Sequence, residues 1–151
     1  MPRSPSSSHG SPGFTLLELA AVLLLLGFSL GSLLPAARRQ LDRMAVLGAR
    51  EEVAGLFHRA RAEAVALGSA TLHLDSGTAS AKLLAGGHVV DQVALMDEYR
   101  VTLVLSRGRS EAELAFDPLG LGRVASQTLR FHRGEAEAGL VVSSLGRVVR
   151  E

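Results

Sequence analysis

Residues Phe14 to Leu34, FTLLELAAVLLLLGFSLGSLL, form a run of 21 residues in which Glu18 is the only charged side chain. At about 1.5 Å per residue a helix of that length spans roughly 30 Å, the hydrocarbon thickness of a bilayer. No other stretch limits so strongly what the chain can fold into. The carboxylate is the anomaly, since a charge at the bilayer centre costs on the order of 3 kcal/mol. A residue kept at that cost needs a partner or a way out of the lipid.

The flanks narrow the class. Residues 1–12, MPRSPSSSHGSP, are rich in Ser, Pro and Gly, lack apolar periodicity and are expected to be disordered. A secretory signal would have a basic start, a shorter apolar region and a small-residue cleavage site after it. No A-x-A pattern follows Leu34. A plain membrane anchor accounts for the length of the run and leaves Glu18 unexplained. Net charge is +1, so no bulk field points to nucleic acid or to an acidic partner. The absence of cysteine excludes a disulfide framework and a thiolate metal site.

Gly13 followed by Phe14-Thr15-Leu16-Leu17-Glu18 and the apolar run resembles the processing site of type IV pilins and type II secretion pseudopilins. The resemblance implies that a prepilin peptidase cuts between Gly13 and Phe14 at the cytoplasmic face, and that the new Phe14 amine is methylated. It also gives Glu18 a purpose. In a helical stack of subunits, Glu18 of one chain meets the Phe14 ammonium of a neighbour, so a charge costly in the lone subunit is compensated in the filament. The competing reading has the carboxylate snorkel to the headgroups.

Arg38, Arg39 and Arg43 lie just beyond the run, and positive-inside counting alone would put the C-terminal part in the cytoplasm. A cleavage motif ahead of the anchor requires the opposite. The expected topology is therefore a single pass through the inner membrane, N-terminus cytoplasmic and head periplasmic, before entry into the filament. Gly27, Gly31 and Pro35 recur at four-residue spacing. Pro35 cannot donate to the Gly31 carbonyl, which weakens the helix there. The two glycines serve equally well as a close-packing face or as tolerated membrane-helix glycines.

Beyond Pro35 the pattern is amphipathic. Val46, Ala49, Val53, Leu56, Phe57, Ala60, Ala64 and Leu67 form one stripe, with Glu51, His58 and Arg59 opposite and Gly68 as a stop. Residues 14–67 therefore read as one long helix. Short strands follow near 70–75, 79–84, 88–95, 100–105, 112–116, 127–132, 139–143 and 147–150. SGT, AGG, SRGRS, DPLGLG and HRGEAEAG read as the turns between them. The expected fold class is α+β and pilin-like, a long N-terminal helix packed on an antiparallel β-sheet head. Its parts are a leader over 1–13, a membrane or filament-core helix over 14–34, an amphipathic helix over 35–68 and a β-rich periplasmic head over 69–151.

LFHRARAEAVALG, LAFDPLGLG and LVVSSLGRVVR resemble, in order, the A-R-x-E-A helix, the F-x-P-x-G turn and the C-terminal G-R of H-type minor pseudopilins, the GspH/FimT family. That resemblance implies a structural subunit in or near the tip of a pseudopilus. Its implied partners are the prepilin peptidase, other major and minor pseudopilins and the inner-membrane assembly platform. A minor type IV pilin for pilus initiation or DNA uptake is the alternative.

Catalytic patterns are absent. His9, His58, His73, His88 and His132 have no metal-ligand spacing, and Ser143-Ser144 lacks a nucleophile elbow. No enzyme, cofactor or metal is expected. Some relatives bind DNA through a C-terminal G-R-x-R, for which this chain offers Arg147 and Arg150 in GRVVR. Odd spacing sends them to opposite faces of a strand, so a solvated strand is the preferred reading.

Overall fold

The computed structural model describes residues 13–123 and 126–151, with the backbone alone at Ser32. The leader expected over residues 1–13 lies, apart from Gly13, outside the described residues. The chain divides into two units between Ala37 and Arg38.

Helix α1 runs from Leu16 to Leu67. Thr15 caps its start: the Leu19 N–H donates to the Thr15 carbonyl at 3.1 Å, and the Glu18 N–H donates to Thr15 Oγ1 at 3.2 Å. Gly68 ends it at φ +89°, with its N–H on the Ala64 carbonyl at 2.9 Å, a backbone turn that glycine enters without strain. Pro35 lies inside the helix. In the first unit the apolar side chains of α1 are exposed, among them Leu16, Leu17, Leu23, Leu24, Leu25 and Phe28.

In the second unit α1 presents its expected stripe. Val46, Ala49, Val53, Leu56, Phe57, Ala60 and Ala64 are buried. Leu67 departs from the expectation and is 57% exposed. It stands at the last helical position, just before the turn at Gly68.

The strands are β1 Ala70–Asp75, β2 Ser80–Ala85, β3 His88–Ala94, β4 Thr102–Leu105, β5 Glu111–Phe116, β6 Gln127–Arg133, β7 Ala136–Val142 and β8 Val148–Arg150. A short helix, α2 Leu95–Tyr99, precedes β4. All pairings are antiparallel and build two four-stranded sheets, β3-β2-β1-β5 and β4-β6-β7-β8. Leu72, Leu74, Leu83 and Leu114 face inward from the first sheet, and Leu103, Leu105, Leu129, Phe131 and Leu140 from the second. Phe57 meets Phe116 edge-on, ring centres 6.4 Å apart at 72°. The architecture is the expected α+β one, a long N-terminal helix with an antiparallel β head.

Two local expectations are corrected. The strand expected to reach residue 95 stops at Ala94. Leu95 instead opens α2, its N–H on the Ala79 carbonyl at 2.8 Å, with Asp97 and Glu98 in the first turn where the helix dipole favours anions. Arg100, left-handed at φ 54°, closes α2 and delays β4 to Thr102. HRGEAEAG is also not one turn. The chain reverses between Arg133 and Ala136, and Ala136 and Ala138 already lie in β7, where their small side chains hide a strand's apolar signal.

Candidate functional site

Among the described residues, nothing beyond its chain neighbours lies within 4 Å of where a Cβ on Gly13 would stand, and Phe14 is 77% exposed. Glu18 is exposed in the first turn of α1. Thr15 and Glu18 have the T-x-x-E spacing of a capping box, and the first half of that box is formed. The sequence reading missed this role, although the spacing just ahead of an apolar run was there to be seen. The cap fixes the helix start and holds Glu18 in the first turn, four positions after Phe14. Gly27 and Gly31 likewise have nothing among the described residues, beyond their own helix backbone and chain neighbours, within 4 Å of a Cβ position. The most apolar 18-residue window of α1 has a mean hydropathy of 2.2 and is wholly unburied, so by length and composition it can cross a membrane.

The two C-terminal arginines are not brought together. Arg150 aligns with Leu140 across the ladder, so its side chain leaves β8 on the helix side. There it grips Glu51 of α1, with Nε 3.0 Å from both carboxylate oxygens and Nη2 2.9 Å from Oε2. Arg50 also reaches Glu51, at 2.9 Å, and donates through Nη1 to the Glu151 carbonyl at 3.1 Å. Hydrogen bonding from Arg150, then from Arg50, holds the Glu51 carboxyl below its ordinary range, with slight burial opposing. Glu51 in turn raises Arg150. Arg147 lies ahead of β8 in a turn closed by Ser143, whose N–H donates to the Arg147 carbonyl at 2.9 Å. Its side chain is exposed.

The three later motifs meet in space at Arg61, between Ala60 and Ala64 on α1. Arg61 Nη2 donates to the Leu145 carbonyl at 3.2 Å, while its buried Nε has no hydrogen-bond partner. A methyl on Gly146 (φ +76°) would stand 3.1 Å from Phe116 Cε1 and 3.2 Å from Arg61 Nη2. A methyl on Gly120 (φ +71°) would stand 3.3 Å from Val65 Cγ2. Asp117 shapes the loop after β5 by accepting the N–H of Leu121 at 2.9 Å and of Leu119 at 3.0 Å. Those bonds, Leu121 first, hold its carboxyl below the usual range against partial desolvation. The helix, the loop after β5 and the turn before β8 thus form one node.

Among the described residues no group of three or more His, Asp or Glu is placed to hold a metal. His73 faces Glu113 at 3.8 Å on the outer side of the first sheet.

The chain superposes on the crystal structure of the type IV minor pilin FimU from Pseudomonas aeruginosa with a TM-score of 0.56, covering 73% of this chain and 90% of that one. The fold is that of a type IV pilin. Sequence identity is 20%, so the likeness to the pilin is one of fold. No family model matches the sequence, and no curated protein matches it.

Proposed function

We propose that this chain is a minor subunit of a type IV pilin-like filament, a structural part with no catalytic role, and that the filament is the periplasmic pseudopilus of a type II secretion system. The observation that carries the reading is the pilin fold together with the exposed apolar first part of α1, which begins at Leu16 just after Gly13-Phe14-Thr15 and bears one carboxylate, Glu18, in its first turn. In this reading prepilin peptidase cleaves after Gly13, the Phe14 amine is methylated, and α1 anchors the subunit with its head in the periplasm. Assembly then pairs Glu18 with a neighbour's Phe14 amine. The apolar environment that penalises a lone carboxylate strengthens the pair once it forms.

A minor type IV pilin is the second reading, favoured by the likeness to FimU. Nucleic-acid capture by Arg147 and Arg150 has less support, because Arg150 is engaged by Glu51.

Coexpression with a prepilin peptidase tests the common part of both readings. Intact mass should show a mature chain of 138 residues, 151 minus 13, beginning at Phe14. An uncut chain, or cleavage beyond Leu34, excludes both. Restoration of protein export in a strain lacking its own minor pseudopilin supports the pseudopilus, whereas restoration of pili alone supports the second reading.

A further inference from the structure

We propose that Arg38, Arg39 and Arg43 of α1 grip the phosphates of anionic phospholipids at the membrane surface where the apolar run ends. The proposal rests on the membrane-spanning part of the reading above.

The three arginines follow the run closely. Arg38 and Arg39 come four and five positions after Leu34, and Arg43 comes nine after it. At about 1.5 Å per helical residue these are roughly 6, 8 and 14 Å of helix, against a headgroup layer roughly 5–8 Å deep on each side of the hydrocarbon. Arg38 and Arg39 therefore fall among the headgroups. Side chains on a helix lean toward its N-terminus, so the long Arg43 side chain reaches back toward the same layer.

All three are exposed, and none has an ion pair or hydrogen bond among the described residues. The one carboxylate within their stretch is already committed. Asp42 stands one turn after Arg38, but Arg133 at the end of β6 takes it, Nε to Oδ1 at 2.8 Å. Arg133 is itself fixed there by donating through Nη1 to the Tyr99 carbonyl at 2.6 Å. The other charges nearby do not neutralise the cluster. Glu135 is exposed in the turn after β6, and Arg100, exposed after α2, offsets it. Asp97 and Glu98 belong to α2, whose Tyr99 meets α1 at Gly48, five positions beyond Arg43, and Glu98 accepts the Ala94 N–H at 3.3 Å. Positive charge stays in excess just past the run.

The same two turns carry Leu41 and Met44, 60% and 61% exposed. Apolar side chains among guanidinium groups suit a lipid surface, where the former enter the acyl edge and the latter donate in pairs to phosphate oxygens. A nucleic acid would engage the arginines alone and leave Leu41 and Met44 in water. In the proposed topology these charges lie on the side of the membrane where arginine is usually scarce, and a counter-charge in the membrane itself accounts for their presence.

Vesicles of phosphatidylcholine and phosphatidylglycerol in equal parts, holding the full-length chain, are the probe. Native mass spectrometry of the released chain should show phosphatidylglycerol retained in preference to phosphatidylcholine. Arg38→Gln, Arg39→Gln and Arg43→Gln should each lower that preference about fivefold, and the triple variant should abolish it. Arg107→Gln with Arg109→Gln removes two charges from the segment between β4 and β5 and should change nothing. Equal retention of the two lipids by the wild-type chain, or an equal loss in the Arg107 and Arg109 variant, overturns the proposal. So does retention of duplex DNA, or incorporation into filaments, that is lost in the triple variant while its lipid preference is unchanged. Flotation with the vesicles is read on the same samples. A chain that floats and shows no preference overturns the lipid contact alone, and a chain that does not float overturns the membrane-spanning reading with it.

Discussion

Glu18 concentrates the functional argument in one side chain. Its backbone N–H serves Thr15, so the first turn of α1 does not depend on the carboxylate. Glu18→Leu removes a charge that costs on the order of 3 kcal/mol in lipid. The variant should insert and be cleaved normally, yet fail to enter filaments, which membrane fractionation and filament shearing would show. Wild-type incorporation would remove the assembly role from this residue. Gly146 is the comparable residue in the head. Alanine there must hold φ +76° with its Cβ 3.1 Å from Phe116 Cε1. A loss of about 2 kcal/mol is expected from thermal or urea melting. Gly55→Ala, with nothing within 4 Å, should be neutral or stabilise by roughly 0.5–1 kcal/mol, since alanine is the better helix former.

At the scale of elements, the loop after β5 and the end of β8 are held by carboxylates. Asp117 and Glu51 both have folded-state values below their ordinary 3.8 and 4.5. A depressed carboxylate contributes stability that is fully present above its unfolded value and is lost as pH falls through the folded one. Melting temperature should therefore hold above about pH 5 and decline below pH 4, with Asp117→Ala flattening part of that decline. The strands themselves were legible in the sequence because apolar alternation and glycine punctuation agree, as in ATLHLD before SGT. Helix α2 was not, since five residues cannot display a helical period. The grip of Arg150 on Glu51 was hidden for another reason. It joins side chains 99 positions apart, and no local pattern encodes such a meeting. The Thr15 cap was visible in principle, overshadowed by the charge three residues later. The motifs that meet at Arg61 could each be read, but their convergence could not, because it depends on how both sheets close over α1.

For the whole molecule, the decisive feature is the order of strands in the two sheets. The chain lays β1 to β3 in the first sheet and β4 in the second, returns to the first with β5, and ends with β6 to β8 in the second. The segment between β4 and β5, SRGRS, exposes Arg107 and Arg109. A protease that cuts after basic residues would sever the chain there without freeing either piece. The N-terminal piece keeps β4, whose partner β6 lies across the cut, and the C-terminal piece keeps β5, whose partner β1 lies across it too. A chain carrying a specific protease site inserted at this segment should, once cut, thus give two bands on a denaturing gel but one peak in size exclusion, parting only in denaturant. Separation in buffer would show that the strand exchange cannot hold the halves. The same interlacing makes the head divisible in a useful sense: expressed as two polypeptides broken at this segment, it should reassemble by mutual complementation, each half supplying an edge strand that the other lacks.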